Sequence, residues 1–526
     1  MVWDAWGAPE GRKELSPAIR SLLGQALGID ATPAPSRQIA DVRLRDSTID
    51  DTQCAALAAV VGAEHVRTEH DARVLHAGGK STFDLLRRRA DGPQEAPDAV
   101  VAPADHDEAL AVLRVCSEQR IAVVPFGGGT SVVGGLTPLR ADFPAVIALD
   151  LRRLDQLLAL DTDSRTATFG AGVTGPRAEE LLAAHGFSLG HFPQSFQFAS
   201  LGGFAATRSS GQASAGYGRF DDMVQRLRVA TPSGALELGR APASAAGPDL
   251  RELFVGSEGA FGVLTEVTVR VHPVPEHVGY QAWTFPDFAA GAKALRTIAQ
   301  SDWRPTVLRL SDEAETGINL AMSDDIGGRA QTPGCLAVTT FEGPAAQVAA
   351  RQAAVAELCI AAGGSALGER AAQQWEHGRF NAPYLRDALL DVGVLCETLE
   401  TAATWAALAQ VRAAVTGALT ESLAAQGTPA LVLCHISHTY PAGASLYFTV
   451  VAKQADDAIT QWQRAKVAAS QAMIDAGATI THHHAVGTDH LPWMRAEVGD
   501  LGVEILRAVK SVVDPHGVLN PGKLVP

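Results

Sequence analysis

The chain has no C-x-x-C pair and no long apolar run. Its six cysteines (Cys54, Cys116, Cys335, Cys359, Cys396, Cys434) are scattered over 526 residues, which argues against a zinc ribbon or a disulfide framework and fits a reducing compartment. No apolar stretch approaches the ~20 residues needed to span a bilayer. The opening MVWDAWGAPEGRKELS lacks the basic-then-apolar layout of a secretory signal, and GKLVP at the end matches no retention or peroxisomal tripeptide. A cytoplasmic protein is expected. Basic charge is in deficit, with 43 Lys+Arg against 58 Asp+Glu and a net charge of −15. A nucleic-acid partner is therefore not expected, because a phosphate backbone would be repelled overall; a local basic pocket for one small anion stays open. What is present is an ordinary globular composition, 47% hydrophobic and 19% charged, in a chain too long for one core.

Four regions are expected: an N-terminal helical region (1–94), a regular α+β alternation (95–275), an Ala-rich region of helices and strands (276–480), and a C-terminal segment (481–526). HAGGKST at 76–82 resembles a phosphate-binding loop, but that motif needs a glycine where Val74 stands, so an NTPase is rejected. In the second region Asp105 is positioned to cap a helix with Ala109, Val112, Leu113 and Cys116 on one face. Pro176 and Gly186 bracket another helix. RLRVATPSGALEL and GVLTEVTVRVHPVPE alternate with period two and read as strands. In the third region long helical stretches (343–363, 403–425, 454–476) alternate with CLAVTTFEG, ALVLCHIS and ASLYFTVVA, which predicts an antiparallel sheet backed by helices.

The strongest local signal is PFGGGTSVVGG at 125–135. Three glycines after a strand let backbone N–H groups approach an anion, and Thr130 and Ser131 add hydroxyls. The G-x-G-x-x-G spacing fails at Val132, and no helix opens directly behind it, so the loop is not a Rossmann fingerprint. With HFPQSFQFASLGGFAATRSSGQASAGYGRFDDMV and LFVGSEGAFGVLTEV, it resembles the FAD-binding domain of the vanillyl-alcohol-oxidase/PCMH flavoprotein superfamily. The resemblance implies an α+β fold, a PCMH-type FAD-binding domain followed by an antiparallel-sheet cap with flanking helices. It implies flavin contacts from Pro125, Phe126, Gly127, Gly128, Gly129, Thr130, Ser131 and Val132. A second set would be Pro193, Gln194, Ser195, Phe196, Gln197, Phe198 and Ala199, and a third Ala206, Thr207, Arg208 and Ser209. The last set is Glu258, Gly259, Ala260, Phe261, Gly262, Val263 and Leu264. Members that link flavin covalently near the glycine loop use a histidine where Thr130 stands, so non-covalent FAD is expected.

Over nearly its whole length the chain resembles the alkyldihydroxyacetonephosphate synthases, through WDAWG, GGGTSV, YGRFDDMV, VATPSG, AGPDL, GSEGAFGVLTE, APYLRDALLD, ETLET..TW, TYPAGASLYFTV and THHHAVG in that order. The resemblance implies that an acyl-dihydroxyacetone phosphate exchanges its acyl group for a fatty alcohol, in ether lipid synthesis without net redox change. It assigns substrate binding to Arg386 and catalysis to Tyr447, His482, His483 and His484, with His483 as the favoured base. From residue type alone Arg386 reads equally as a helix-surface partner of Asp387 or Asp391, and Tyr447 as a half-buried strand tyrosine. If THHHAVG is extended, His482 and His484 share one face and His483 the other. Three imidazoles then cannot hold one metal, although two could with His490, His435 or His438. No metal is expected, and acid–base work is favoured. The alternative is an FAD-dependent oxidoreductase of hydroxyacids or alcohols. That branch has a metal-binding histidine where Tyr447 stands and a glutamate where His483 stands, so its metal mechanism is weakened. The chain also departs from the synthases, with His435 for an arginine, His438 for a polar amide and Ala485 for a glycine. Lipid substrates and a homodimer are the expected partners, with a peripheral membrane contact left open.

Overall fold

The computed structural model describes residues 1–29, 32–33, 37–318, 326 and 333–526. Three main sheets organise it. The first runs Val66–Arg67, Ala99–Val101, Ala145–Asp150, Ile121–Phe126, the last three parallel. Every residue of Ala145–Asp150 is buried, as a parallel strand covered on both faces requires. The crossover helix His106–Glu118 starts at Asp105, whose carboxylate accepts from Glu108 N, while Glu108 turns back to Ala104 N. The second sheet is antiparallel: Leu157–Asp161, Thr166–Gly170, Val263–Arg270, Val224–Thr231, Gly234–Leu238.

The third sheet has seven antiparallel strands: Ser365–Gly368, His277–Phe285, Cys335–Gly343, Val307–Ser311, Leu431–Ile436, Gly443–Lys453, Val394–Thr404. Helices Ala345–Ala361, Leu408–Ala425 and Ala458–Asp475 contribute to the core on one face of it. Period two sorts the side chains of Gly443–Lys453. Leu446, Phe448, Val450 and Ala452 enter that core, while Tyr447, Thr449 and Val451 line a cavity on the other face.

Residues 1–94 feed both halves. Leu57 and Val61 pack into the core of the first sheet, and Phe83, Leu85 and Leu86 into that of the third. The lysine of HAGGKST holds the N-terminus in place. Buried Lys80 donates through Nζ to the carbonyls of Val2 and Trp3, and Ser81 and Asp84 form a capping box. The C-terminal end returns to the first sheet, where Val123 bridges Leu519 and Asn520 Nδ2 donates to the carbonyls of Gly135 and Glu258.

Candidate active site

One cavity of about 650 Å³ lies between the glycine loop, the third sheet and the histidine segment. The loop residues Pro125–Val132 all line it. A Cβ on Gly127 would fall 2.3 Å from Ser200 Oγ, and one on Gly128 would fall 2.0 Å from Phe198 O. Only glycine lets these two segments close into a cradle. Pro193, Gln194, Ser195, Ala199, Ala206, Thr207, Ser209, Glu258, Gly259, Gly262, Val263 and Leu264 complete that wall. Gln194 Nε2 is buried with no partner among the described residues. Backbone-rich, hydroxyl-bearing walls with an unpaired amide donor fit a phosphate-bearing cofactor.

Six residues expected to line the flavin do not face this cavity. Phe196 stacks on Phe380, Gln197 accepts from the Tyr384 hydroxyl, and Phe198 meets Trp6 edge-on. Arg208, at φ 49, turns away to Asp221 and Glu252. Ala260 and Phe261 lie in the hydrophobic core of the second sheet.

The cap wall is a row of side chains set by strand register. Glu400 and His435 are the cross-strand neighbours of Tyr447 on either side. His435 stacks on Tyr447 at 4.8 Å and 15°, and Arg309 Nη2 reaches both His435 Nδ1 (2.9 Å) and Glu315 Oε1 (2.5 Å). Burial pushes the Tyr447 phenol above its ordinary value, so it stays protonated.

The histidine segment is not a strand. Residues 482–484 form a bend in which all three backbone N–H groups point at one carboxylate. His482 N donates to Glu400 Oε2 at 2.7 Å, and His483 N and His484 N donate to Oε1 at 3.0 and 2.9 Å. Thr481 Oγ1 adds a fourth bond at 2.6 Å. The extended, opposite-face reading of the three imidazoles is thereby corrected; the carboxylate they surround comes from the strand Val394–Thr404. His483 Nδ1 lies 3.4 Å from Glu400 Oε2. Burial opposes ionisation of Glu400, yet the surrounding histidines and Thr481 hold it well below the ordinary carboxylate value. Burial lowers His482 and His483 to about 4 and His484 to about 3, against partial support from Glu400. Ala485 sits at φ 73, a left-handed position that explains why glycine is usual there. Beyond it, Val486 N and Gly487 N donate to Glu258 at 3.0 and 2.9 Å, tying the segment to the glycine-loop wall of the cavity.

Arg386 lines the cavity but is already engaged. Its Nε and Nη2 reach Asp387 Oδ1 at 3.1 and 3.0 Å, and Nη1 donates to Lys80 O at 2.8 Å. Arg309 and Arg379 line the same cavity, and no sequence motif points to them.

Residues 97–238 match the model of an FAD binding domain, and residues 274–524 that of the C-terminal domain of FAD linked oxidases. The alkyldihydroxyacetonephosphate synthase of Trypanosoma brucei brucei is 34% identical over 95% of this chain and 84% of its own length. The chain belongs to the alkyldihydroxyacetonephosphate synthase family. The Dictyostelium discoideum synthase is 33% identical over 88% of this chain and 79% of its own. A solved synthase structure superposes with a TM-score of 0.85 at 29% identity, covering 100% of this chain and 99% of that one. FAD is the cofactor of this synthase-family chain, and the α+β arrangement of an FAD-binding half and an antiparallel cap is that of the synthase structure. Among the described residues, no helix is long and apolar enough to cross a membrane.

Proposed function

We propose that the chain is a flavin-dependent transferase that exchanges the acyl group of an acyl-dihydroxyacetone phosphate for a long-chain alcohol, forming an ether bond with no net redox change. The observation that carries this reading is the continuity of the cavity. It joins the glycine loop to Tyr447, His483 and His484, and then to an apolar region lined by Ile19, Leu22, Leu23, Leu389, Leu433 and Val451. An alkyl chain buried there gains ~0.8 kcal/mol per methylene. FAD, when bound, supplies the electrophilic ring system, and Thr130 in place of a linking histidine supports a non-covalent cofactor.

The residues of the chain move the protons. Neutral His483 takes a proton from C1 of the substrate, Glu400 beside it stabilises the imidazolium as it forms, and His483 returns the proton to C1 once the alcohol oxygen has replaced the acyloxy group there. Tyr447 gives its proton to the departing fatty acid and recovers one from the incoming alcohol. Arg386, kept charged and oriented by Asp387, is assigned to the phosphate, with Arg309 and Arg379 adding positive potential to the same space. A cytoplasmic location belongs to this reading and is supported by six free cysteines. A homodimer belongs to it as well, supported by the exposed Leu501, Ile505 and Val512 on the last helix, Met494–Val513.

The test is anaerobic. Acyl-dihydroxyacetone phosphate and a fatty alcohol are supplied to the purified protein, and fatty-acid release and flavin absorbance are followed together. Enzyme-dependent release with no flavin bleaching is expected. Bleaching by an alcohol or hydroxyacid alone would replace the transferase with an oxidoreductase.

The base assignment carries a pH signature. A histidine with its pKa lowered to about 4 is unprotonated, and so competent, at every pH above that value. The turnover number at saturating substrate should therefore stay level from pH 8 to 5 and fall only as pH drops toward 4. A fall centred near 6.5, the ordinary imidazole value, would reject His483 in the environment described.

A further inference from the structure

We propose that His438, His482 and His483 form a site for one borderline transition-metal ion such as Zn²⁺, with its fourth position open to the cavity. One ring nitrogen of each histidine lies within 4.8 Å of the other two. Two of the three remaining nitrogens are already held in the way that orients metal-binding imidazoles. His438 Nδ1 sits 3.0 Å from Ser210 Oγ and 2.8 Å from Ser214 Oγ, which leaves Nε2 for an ion. His482 Nε2 sits 2.6 Å from the Tyr440 hydroxyl, which leaves Nδ1, and that atom faces His483 Nδ1 at 2.9 Å. Two imidazole nitrogens facing each other at this distance share one proton, and a metal ion would take its place.

Tetrahedral zinc at ~2.0–2.1 Å from each nitrogen needs the nitrogens ~3.4 Å apart. The cluster meets that spacing by opening the His482–His483 pair slightly and drawing the third ring inward. Burial keeps all three imidazoles neutral, which is the form that binds metal. The ionised Glu400 beside His483 supplies negative charge. The arginine whose charge opposes all three histidines, Arg219, is paired with Asp221 at 2.9 Å. His438 and His483 line the cavity, so a fourth ligand, water or a small anionic oxygen, has access. The site depends on a position where this chain departs from the synthase pattern, since a polar amide in place of His438 would leave only two imidazoles.

Occupied, the site would withhold the His482 and His483 lone pairs from proton transfer. That consequence rests on the transferase reading; the site itself does not. The experiment uses the FAD-loaded protein, stripped with a chelator, then dialysed against Zn²⁺ alongside His438→Gln. The expected result is about one zinc per flavin in the wild type, with imidazole nitrogens at ~2.0 Å by X-ray absorption. Binding should be at least tenfold weaker in the variant, whose amide can still hold the serine hydroxyls. No stoichiometric zinc, or equal binding by both proteins, would overturn the site. In the fatty-acid-release assay, loading should stop turnover and chelation restore it; undiminished turnover at full occupancy would overturn the blocking role. A protein that proves to have no transferase activity leaves the zinc-per-flavin result intact, so the two failures are distinguishable.

Discussion

Tyr447→Phe should leave a folded, yellow protein whose turnover number falls about 10²–10⁴-fold, the range lost when a positioned proton donor is removed. The substitution deletes one oxygen and little else. The ring at 447 packs flat between His435 (4.8 Å, 15°) and His483 (6.1 Å, 19°), contacts that phenylalanine keeps. Its neighbours Leu446 and Phe448 point into the opposite core and do not sense the change. The apparent substrate affinity should therefore move little while turnover collapses, the mark of a group that acts in the transition state. Steady-state kinetics with flavin content measured on the same sample decides it. A loss under tenfold would demote Tyr447 to a wall of the pocket and return the donor role to a histidine.

Tyr447 is legible because an alternating strand signals its own faces: once ASLYFTVVA is a strand over a helical layer, Tyr447 and Thr449 must share a side. The glycine loop is legible for a related reason, since adjacent glycines mark a close approach whatever the partner. Contiguous reading fails where the backbone turns within a motif. Arg208 follows Ala206 and Thr207 into the flavin wall by sequence, but its positive φ of 49 sends the side chain to Asp221 and Glu252. Ala260 and Phe261, just after the positive-φ Glu258 and Gly259, turn into the core of the second sheet. Arg309, Glu315 and His435 lie on two strands and a short helix, and only sheet pairing makes them neighbours. The histidine segment defeats a strand reading for the deepest reason. Its bend is imposed by Glu400, 82 residues earlier than His482, and histidines carry no local signal for such a shape.

Glu400→Gln should therefore do more damage than loss of an ordinary buried side chain. The carboxylate is 1% exposed and accepts from three successive backbone amides and Thr481. An amide of the same shape turns one acceptor oxygen into an NH₂ group facing N–H or O–H donors. It also removes the charge that strengthens the remaining bonds. Hydrogen bonds to a charged group contribute about 1.5–3 kcal/mol, and an unsatisfied buried donor costs about 1–3 kcal/mol, so local destabilisation of about 3 kcal/mol is expected. That corresponds to about a hundredfold faster hydrogen exchange of the amides of His482, His483 and His484. Exchange at Val486 and Gly487 should change less, because Glu258 holds them independently. Turnover should fall with the loop: His483 loses both its position and the anion that stabilises its protonated form. The two effects separate in Thr481→Ala, which removes one bond to Glu400 and leaves its charge, and should cost only about 1.5 kcal/mol, the low end for a bond to a charged group, with most activity retained. Unchanged exchange at 482–484 in Glu400→Gln would mean that the bend is held from the Glu258 side, and that the strand Val394–Thr404 serves the histidines only as a neighbour.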